Sequence, residues 1–397
     1  MRHFSAIALV ALLTLSSAAC RWGGRQPEPK PQPQPPKSTD YNAPLPAGAL
    51  ALSEIPIEQL PAVAFDPSSR RALRSGIANS LAWLATPSAD KAYAQPVAGI
   101  SKDKVIAGLK LLDELIANAA DETALNAAIK TRFRAYMSVG CDQRGTVLFT
   151  GYYTPIFAAS TTPGGEYRYP LYRKPKDLIP ATTQDAIALQ RLPDGSSRPY
   201  PARAEILASA QMRGEELVWL SNPVETYIVE VQGSARLRLP TGDILEVGYD
   251  GTNGHPYHGI MLDLVNEGKI ARSELNLASL RRYFAAHPDE LPQYTARNPR
   301  FIFFTKTTGG PFGCLGHKVP VTTDVSMAAD KSIFPPAAAV VTALNGGAAT
   351  LHLDQDAGGG IRAAGRCDLY MGVGEAAEQR AGAQFAEGRL YYLVARD

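Results

Sequence analysis

The chain has 397 residues, 45% of them hydrophobic, a formal net charge of +2 at pH 7 and a pI near 8.2. That length holds two domains, or one large domain with extensions, and that apolar fraction supports a buried core. The near-neutral balance, without clustered Lys and Arg, argues against a nucleic-acid partner, while 34 glycines and 31 prolines favour a loop-rich fold of many short strands.

Met1, Arg2 and His3 precede an apolar run from Ala6 to Leu15 and the small residues Ser16 to Ala19, ahead of Cys20. This pattern reads as a secretory signal over residues 1–19, and the run is too short to span a bilayer. The small residues before Cys20 resemble a bacterial lipobox, whose cysteine is acylated and becomes the mature N-terminus. Arg21 is not the aspartate that retains many lipoproteins in the inner membrane, so an outer-membrane anchor facing the periplasm is expected. Residues 20–64 then form the anchor and a linker. From Arg25 to Lys37 the segment around QPEPKPQPQPP is an extended polyproline spacer, about 3.1 Å per residue and roughly 40 Å in all. Beyond Cys20 only Cys141, Cys314 and Cys367 remain, and the sequence leaves their pairing open.

Asp66 and Pro67 read as an N-cap and first-turn pair, after which Leu73, Ile77, Leu81 and Leu84 recur at helical spacing. Ser101 opens a second helix with Val105, Leu109, Leu112 and Ile116 on one face, and a third runs from Glu122 to Met137. Strand signals begin after Gly140. In Val147–Pro155, Tyr152 and Tyr153 are adjacent, so one ring faces each side of the strand, and aromatic faces stack on sugar rings. Tyr227 to Tyr249 reads as a hairpin about the turn Thr241, Gly242, Asp243. Gln232, Gly233 and Ser234 interrupt its first strand with amide, hydroxyl and bare backbone groups, a surface that suits a sugar or peptide amide. A polar loop from Asp250 to Tyr257, carrying Asn253 and Gly254, precedes a helix at Ile260–Glu267.

Three aspartates stand out in the last third. Asp330 stands before the run Ile333, Phe334, Pro335, Pro336. Asp356 is followed by Gly358, Gly359 and Gly360, where no Cβ hinders the approach of a ligand. Asp368 opens the apolar run Leu369, Tyr370, Met371. A carboxylate at a strand mouth, faced by a glycine turn, suits acid chemistry, although a turn-capping aspartate has the same local signature.

The order D-x-G-G-x-I, D-L-Y-x-G-x-G, R-A-G and G-R-L-Y-Y-L resembles the three-aspartate domain of the membrane-bound lytic murein transglycosylase A family. GYYTP, VQGSA and Y-x-G-x-N-G-H-x-Y resemble the same family, so the likeness runs from about Phe149 to Val394. Val325, Ala337 and Ala363 depart from it, standing where an arginine and two glycines would be expected.

The resemblance implies a mainly β fold with N-terminal helices: a double-psi β-barrel catalytic domain (residues 65–151 and 299–397) with an inserted, β-rich substrate-binding domain (152–298). The implied activity is cleavage of the β-1,4 bond between N-acetylmuramic acid and N-acetylglucosamine in peptidoglycan, closing a 1,6-anhydro ring. Asp368 would be the catalytic group and Asp330 and Asp356 its supports. Tyr152, Tyr153, Gln232, Gly233, Ser234, Asn253, Gly254, Gly358 and Gly359 would line the groove for the glycan. The expected partners are the glycan strand, the membrane through the lipid anchor, and other cell-wall enzymes. A non-catalytic peptidoglycan-binding lipoprotein and a hydrolytic glycosidase with a second carboxylate are the alternatives.

No cofactor or metal is expected. Asp354, Asp356 and Gly358 begin like a calcium loop, but the glycine comes too early and Gly365 stands where the bidentate Glu belongs. His255 and His258 lack a third ligand.

Overall fold

The computed structural model describes residues 39–181, 186–310, 313, 315, 319–345 and 347–396. The signal segment, Cys20, the proline spacer and Cys314 lie outside these residues.

After β1 (Leu52–Ile55), the Asp66 side chain accepts from the Ser68 N–H and Pro67 starts the turn into α1 (Arg70–Leu84), which buries Leu73, Ile77 and Leu84. Following α2 (Pro87–Ala92), Ser101 caps α3 (Lys102–Asn118), whose buried face includes Val105, Leu109, Leu112 and Ile116. Helix α4 (Glu122–Arg132) stops at Arg132 rather than at the expected Met137, because Phe133–Ser138 is strand β2. Phe133 and Ala135 are buried on either side of an exposed Arg134, a period of two that pairing with β1 satisfies.

Strands β3 (Val147–Thr154), β4 (Ile156–Ser160) and β5 (Tyr169–Tyr172) follow, then the short β6 (Leu178–Ile179), β7 (Leu189–Arg191) and β8 (Ser197–Pro199) of a small sheet. Next come α5 (Arg203–Ala208), β9 (Glu216–Leu220) and α6 (Pro223–Gln232). The last of these corrects the expected hairpin. Tyr227 to Gln232 is helical: the Asn222 side chain accepts from Val224 and Glu225 N–H, Pro223 occupies the first turn, and Gly233 ends the helix at φ +77°. The hairpin proper is β10 (Ser234–Arg238) with β11 (Ile244–Thr252).

Helices α7 (Ile260–Asn266), α8 (Leu277–Ala286) and α9 (Leu291–Arg297) lead to β12 (Ile302–Thr307). The C-terminal part contributes β13 (Ser326–Ala328), β14 (Ala339–Leu344), β15 (Ala349–Asp356), β16 (Arg366–Val373), α10 (Glu375–Ala383) and β17 (Phe385–Ala395).

The fold is mainly β with helices on its flanks. One sheet runs β1-β2-β17-β14-β15-β13-β16-β3, and β17 also pairs with β3, so the pairing leads from β17 through β16 and back to β17. Its β13–β15 and β16–β3 pairs are parallel. A second sheet runs β12-β11-β10-β4-β9-β5. Each has its own core: one joins the first sheet to α1, α3 and α4 through residues such as Ile77, Leu112, Phe149 and Val340. The other packs Val218, Ile228, Leu237 and Phe304 with α6 to α9.

Beneath the first sheet lies a polar cluster. Asp354 is fully buried, ion-paired with Lys331, and accepts from the Tyr392 hydroxyl at 2.8 Å. Burial raises its pKa, and Lys331 and Tyr392 oppose that. Removing one partner of a buried pair strands the other charge. Lys331→Met is therefore expected to destabilise the fold by roughly 3–5 kcal/mol at pH 7. A carboxyl with a raised folded pKa loses stability as pH climbs above its unfolded value, so the deficit should shrink toward pH 4. Urea melts at both pH values, with Lys331→Met/Asp354→Asn as the partly restored control, measure this.

Candidate active site

A cleft of about 650 Å³ opens between residues of the two cores and is lined by Asp356 and Asp368 on one side and by Arg203, Glu230, Tyr257 and Arg300 on the other. Strand β16 supplies Arg366 and Asp368, two residues apart and hence on one face. The parallel register sets Asp368 opposite Thr150 and Tyr370 opposite Tyr152. Gly151, between them, lines the cleft. A Cβ there would stand 2.8 Å from the Ala381 backbone, so the close packing of α10 on β3 requires glycine.

The Thr150 hydroxyl donates to Oδ1 of Asp368 at 2.8 Å. The Asp368 carboxyl reaches the cleft but is enclosed by protein, and this desolvation, opposed by Thr150 and Arg366 and aided by Asp356, raises its pKa to about 6. Such a group is protonated in part near neutrality, as a general acid must be. Asp356 ends β15. It accepts from the Ala357 N–H on Oδ1 and from the Tyr152 hydroxyl on Oδ2, each at 2.8 Å. Burial, then Asp356, pushes the Tyr152 phenol well above its usual pKa, so it stays a donor. Its ring leans on Tyr370 at 5.1 Å.

Gly358, Gly359 and Gly360 line the cleft as a turn backed by Arg300, whose Nε would be 2.9 Å from a Cβ on Gly359. Arg300 is held by donation from Nη1 to the His255 carbonyl at 3.1 Å. Gln232 and Gly233 face the cleft from the end of α6, and the Gln232 Oε1 accepts from the Tyr153 N–H at 3.2 Å. Below them the buried Arg203–Glu230 ion pair joins α5 to α6. Burial pushes the Tyr257 phenol up to about 12.

The cleft thus gathers Tyr152, Gln232, Gly233, Asp356, Gly358, Gly359 and Asp368 of the expected set. It does not gather the others. Tyr153 points into the core, with its hydroxyl donating to Glu378 at 2.7 Å. Ser234 is buried against the Thr154 hydroxyl at 3.3 Å. Asn253 is fully buried and fastens Pro201, Pro299 and Phe301 backbone groups. Gly254, at φ +78°, lies against the backbone of residues 186–188 because a Cβ would not fit there. Asp330 is also buried; it accepts from Ser332 and, on Oδ2, from the Ala363 N–H at 2.9 Å. His255 and His258 turn to the Tyr200 carbonyl and to Asp263. Sequence reasoning passed over Thr150, Arg203, Glu230, Arg300, Lys331 and Arg366, and named Tyr257 only as the end of a family motif. Of these, Arg366 had a signal, since it lies two residues before Asp368 on one strand.

Cys141 and Cys367 are both free thiols. No described helix is long and apolar enough to cross a membrane.

Residues 148–305 match the model of the MltA specific insert domain, and residues 325–394 match that of the 3D domain. Membrane-bound lytic murein transglycosylase A of Escherichia coli K12 is 31% identical over 271 residues, which are 65% of this chain and 68% of that protein. Its counterpart from Vibrio cholerae is 31% identical over 268 residues, 64% and 67% of the two chains. Among solved structures, the membrane-bound lytic murein transglycosylase from Agrobacterium tumefaciens has a TM-score of 0.71 at 24% identity, covering 87% of this chain and 98% of its own. E. coli MltA with bound chitohexaose has a TM-score of 0.66 at 24% identity, covering 92% and 98%. With both domain models matched in order, and two curated relatives aligned over two thirds of their length, the chain belongs to the membrane-bound lytic murein transglycosylase A family.

Proposed function

We infer that the protein is a peptidoglycan lytic transglycosylase, cleaving between N-acetylmuramic acid and N-acetylglucosamine and leaving a 1,6-anhydro end. The observation that carries the chemistry is Asp368, an enclosed carboxyl at the cleft with its pKa raised to about 6. The chitohexaose held by a solved relative supports a glycan strand as the occupant of this cleft.

Asp368 begins protonated and gives its proton to the glycosidic oxygen as the C1–O bond breaks, leaving positive charge at C1. The resulting carboxylate takes the proton of the C6 hydroxyl of the same sugar, and O6 bonds to C1. Asp368 is regained protonated, and no water enters the balance. One carboxyl acts as acid and then as base, where a hydrolase would need a second group to activate water. Asp356, held by Tyr152, supports the raised pKa of Asp368. Asp330 shapes the loop ahead of β16.

The same reading assigns residues 65–151 and 299–397 to a double-psi β-barrel catalytic domain, supported by the cyclic strand pairing and its two parallel pairs. Residues 152–298 are the inserted substrate-binding domain, supported by the separate core, which also takes in Ile302 and Phe304 of β12 beyond that bound. Cys20 is the lipidated residue that ties the enzyme to the outer membrane on its periplasmic side, within reach of other cell-wall enzymes. That relatives are named membrane-bound supports the anchor.

Asp368→Asn should cut release of anhydro-muropeptides by at least about 10²- to 10⁴-fold, read by mass, since the anhydro product is one water lighter than a hydrolytic one. A folded variant with near-normal turnover would refute the mechanism. Because the acid must be protonated, wild-type kcat/KM should fall as pH rises through about 6. The raised folded pKa also means that the native state loses stability between pH 4 and 6. Asp368→Asn should therefore melt higher than wild type at pH 7, by on the order of 1–3 kcal/mol, and equally at pH 4.

In the cleft, Gln232→Ala should weaken binding to isolated murein, with a stability loss of only about 1 kcal/mol from the Tyr153 N–H it leaves unpaired. Tyr153→Ala should instead lower stability by roughly 3–5 kcal/mol, as for other buried aromatic truncations. Cys20→Ala should move the protein from the membrane fraction to the soluble periplasm; unchanged partition would refute the anchor.

A further inference from the structure

Thr150 has one hydroxyl proton and two lone pairs, and the structure uses both kinds of group. Its Oγ1 lies 3.3 Å from Nη2 of Arg366, which can only donate. The hydroxyl proton is therefore turned away from the guanidinium and toward Oδ1 of Asp368, 2.8 Å distant. With Oδ1 occupied as an acceptor, a proton on the carboxyl belongs on Oδ2. Both neighbours are set by backbone: Thr150 by the parallel register with Asp368, Arg366 by its place on the same strand face. Thr150 accepts from Arg366 on its outer side, so the chain Arg366, Thr150, Asp368 runs in one direction only.

We propose that Thr150 and Arg366 are positioning residues that fix the transferable proton of Asp368 on Oδ2, the oxygen with no partner among the described residues and so open to substrate. The proposal rests on the reading of Asp368 as acid and then base. Neither residue touches the reacting atoms; Arg366 acts through the Thr150 hydroxyl, and also as a nearby positive charge. The other titratable groups around Asp368 are Asp356 at the end of β15, Tyr152 on β3 and Cys367 on its own strand. Asp356 repels the carboxylate, whereas the two positioning residues favour it. Their removal should thus move the group further toward its protonated form.

The test uses the full chain on isolated murein, with anhydro-muropeptide release followed from pH 4.5 to 8.5. Thr150→Val keeps the β-branched shape and removes the hydroxyl. It should lower kcat at least about 10-fold with KM little changed, and move the alkaline limb of the profile upward by about half a pH unit or more. Thr150→Ser restores the hydroxyl and should return kcat to within about 3-fold of wild type. Arg366→Met should move the limb the same way, and its effect on kcat should be smaller in the Thr150→Val background than alone. Should Thr150→Val fail to fold, the direction of the limb in Arg366→Met decides. A wild-type profile in Thr150→Val, a loss that serine does not rescue, or an equal Arg366→Met effect in both backgrounds would overturn the proposal. An inactive wild-type chain would instead refute the transglycosylase reading itself.

Discussion

The parallel pairing of β3 with β16 is the constraint from which the cleft follows. It joins a strand early in the chain to one near its end, and its register alone places Thr150 beside Asp368 and Tyr152 beside Tyr370. A slip of one residue would turn Asp368 into the core and bring Cys367, now fully buried, to the cleft. The register is held from both sides. Gly151 lets α10 sit against β3, and β17 pairs with the first half of β3, from Val147 to Thr150. Helix α10 is joined to the second core through Arg281 of α8, which pairs with Glu378 and lies over Phe157. The strand pair that carries Asp368 is thus braced against the second core.

Buried charge is distributed unevenly around this pair. Lys331 with Asp354, Arg203 with Glu230, and Arg281 with Glu378 are each matched, so that desolvation is offset by attraction and hydrogen bonds. Asp368 has Arg366 nearby but no ion pair among the described residues, and burial governs its proton affinity. Burial raises the pKa of Asp354 and Glu230 as well, but each has a directly paired cation opposing it, which Asp368 lacks. The fold accepts a destabilising group at one place and compensates its neighbours, the pattern expected where proton transfer needs a tuned pKa.

Helices whose starts carry a cap and a stripe were legible in the sequence: Asp66 with Pro67 and Ser101 stand where they were expected. The same logic was available at Asn222 and Pro223, but the β-branched run Tyr-Ile-Val-Glu-Val outweighed it. Tertiary context decided otherwise, since that run is buried on nearly all sides in the second core, where helix and strand share one composition. Asp356 and Asp368 were legible because glycine and strand signals flank them. Arg300 and Glu230, which line the cleft, and Thr150, which meets it only through Asp368, were not, because long-range pairing that no local pattern encodes puts them there. Tyr152 and Tyr153 show the limit most directly. Alternation required one ring on each face, yet only the register with β16 decides which ring meets the cleft.

Asp330 resembles its two companions in sequence and differs from them in use. Its Oδ1 accepts from Ser332 and its Oδ2 from the Ala363 N–H, so it ties the turn after β13 to the loop that precedes β16. Ala363 is held at φ +61°, and Ala337, whose N–H donates to the Asp354 carbonyl, at φ +65°. These are the two positions where the family resemblance leads one to expect glycine, and the left-handed backbone explains that expectation. An alanine there carries a strain of roughly 1–2 kcal/mol. It persists because hydrogen bonds to fixed partners over-determine the loop. The loop's position in turn sets where β16 begins, and hence where Arg366 and Asp368 stand. The first aspartate is thus tied to the third through the backbone: it holds the strained turn that leads into the strand bearing Asp368.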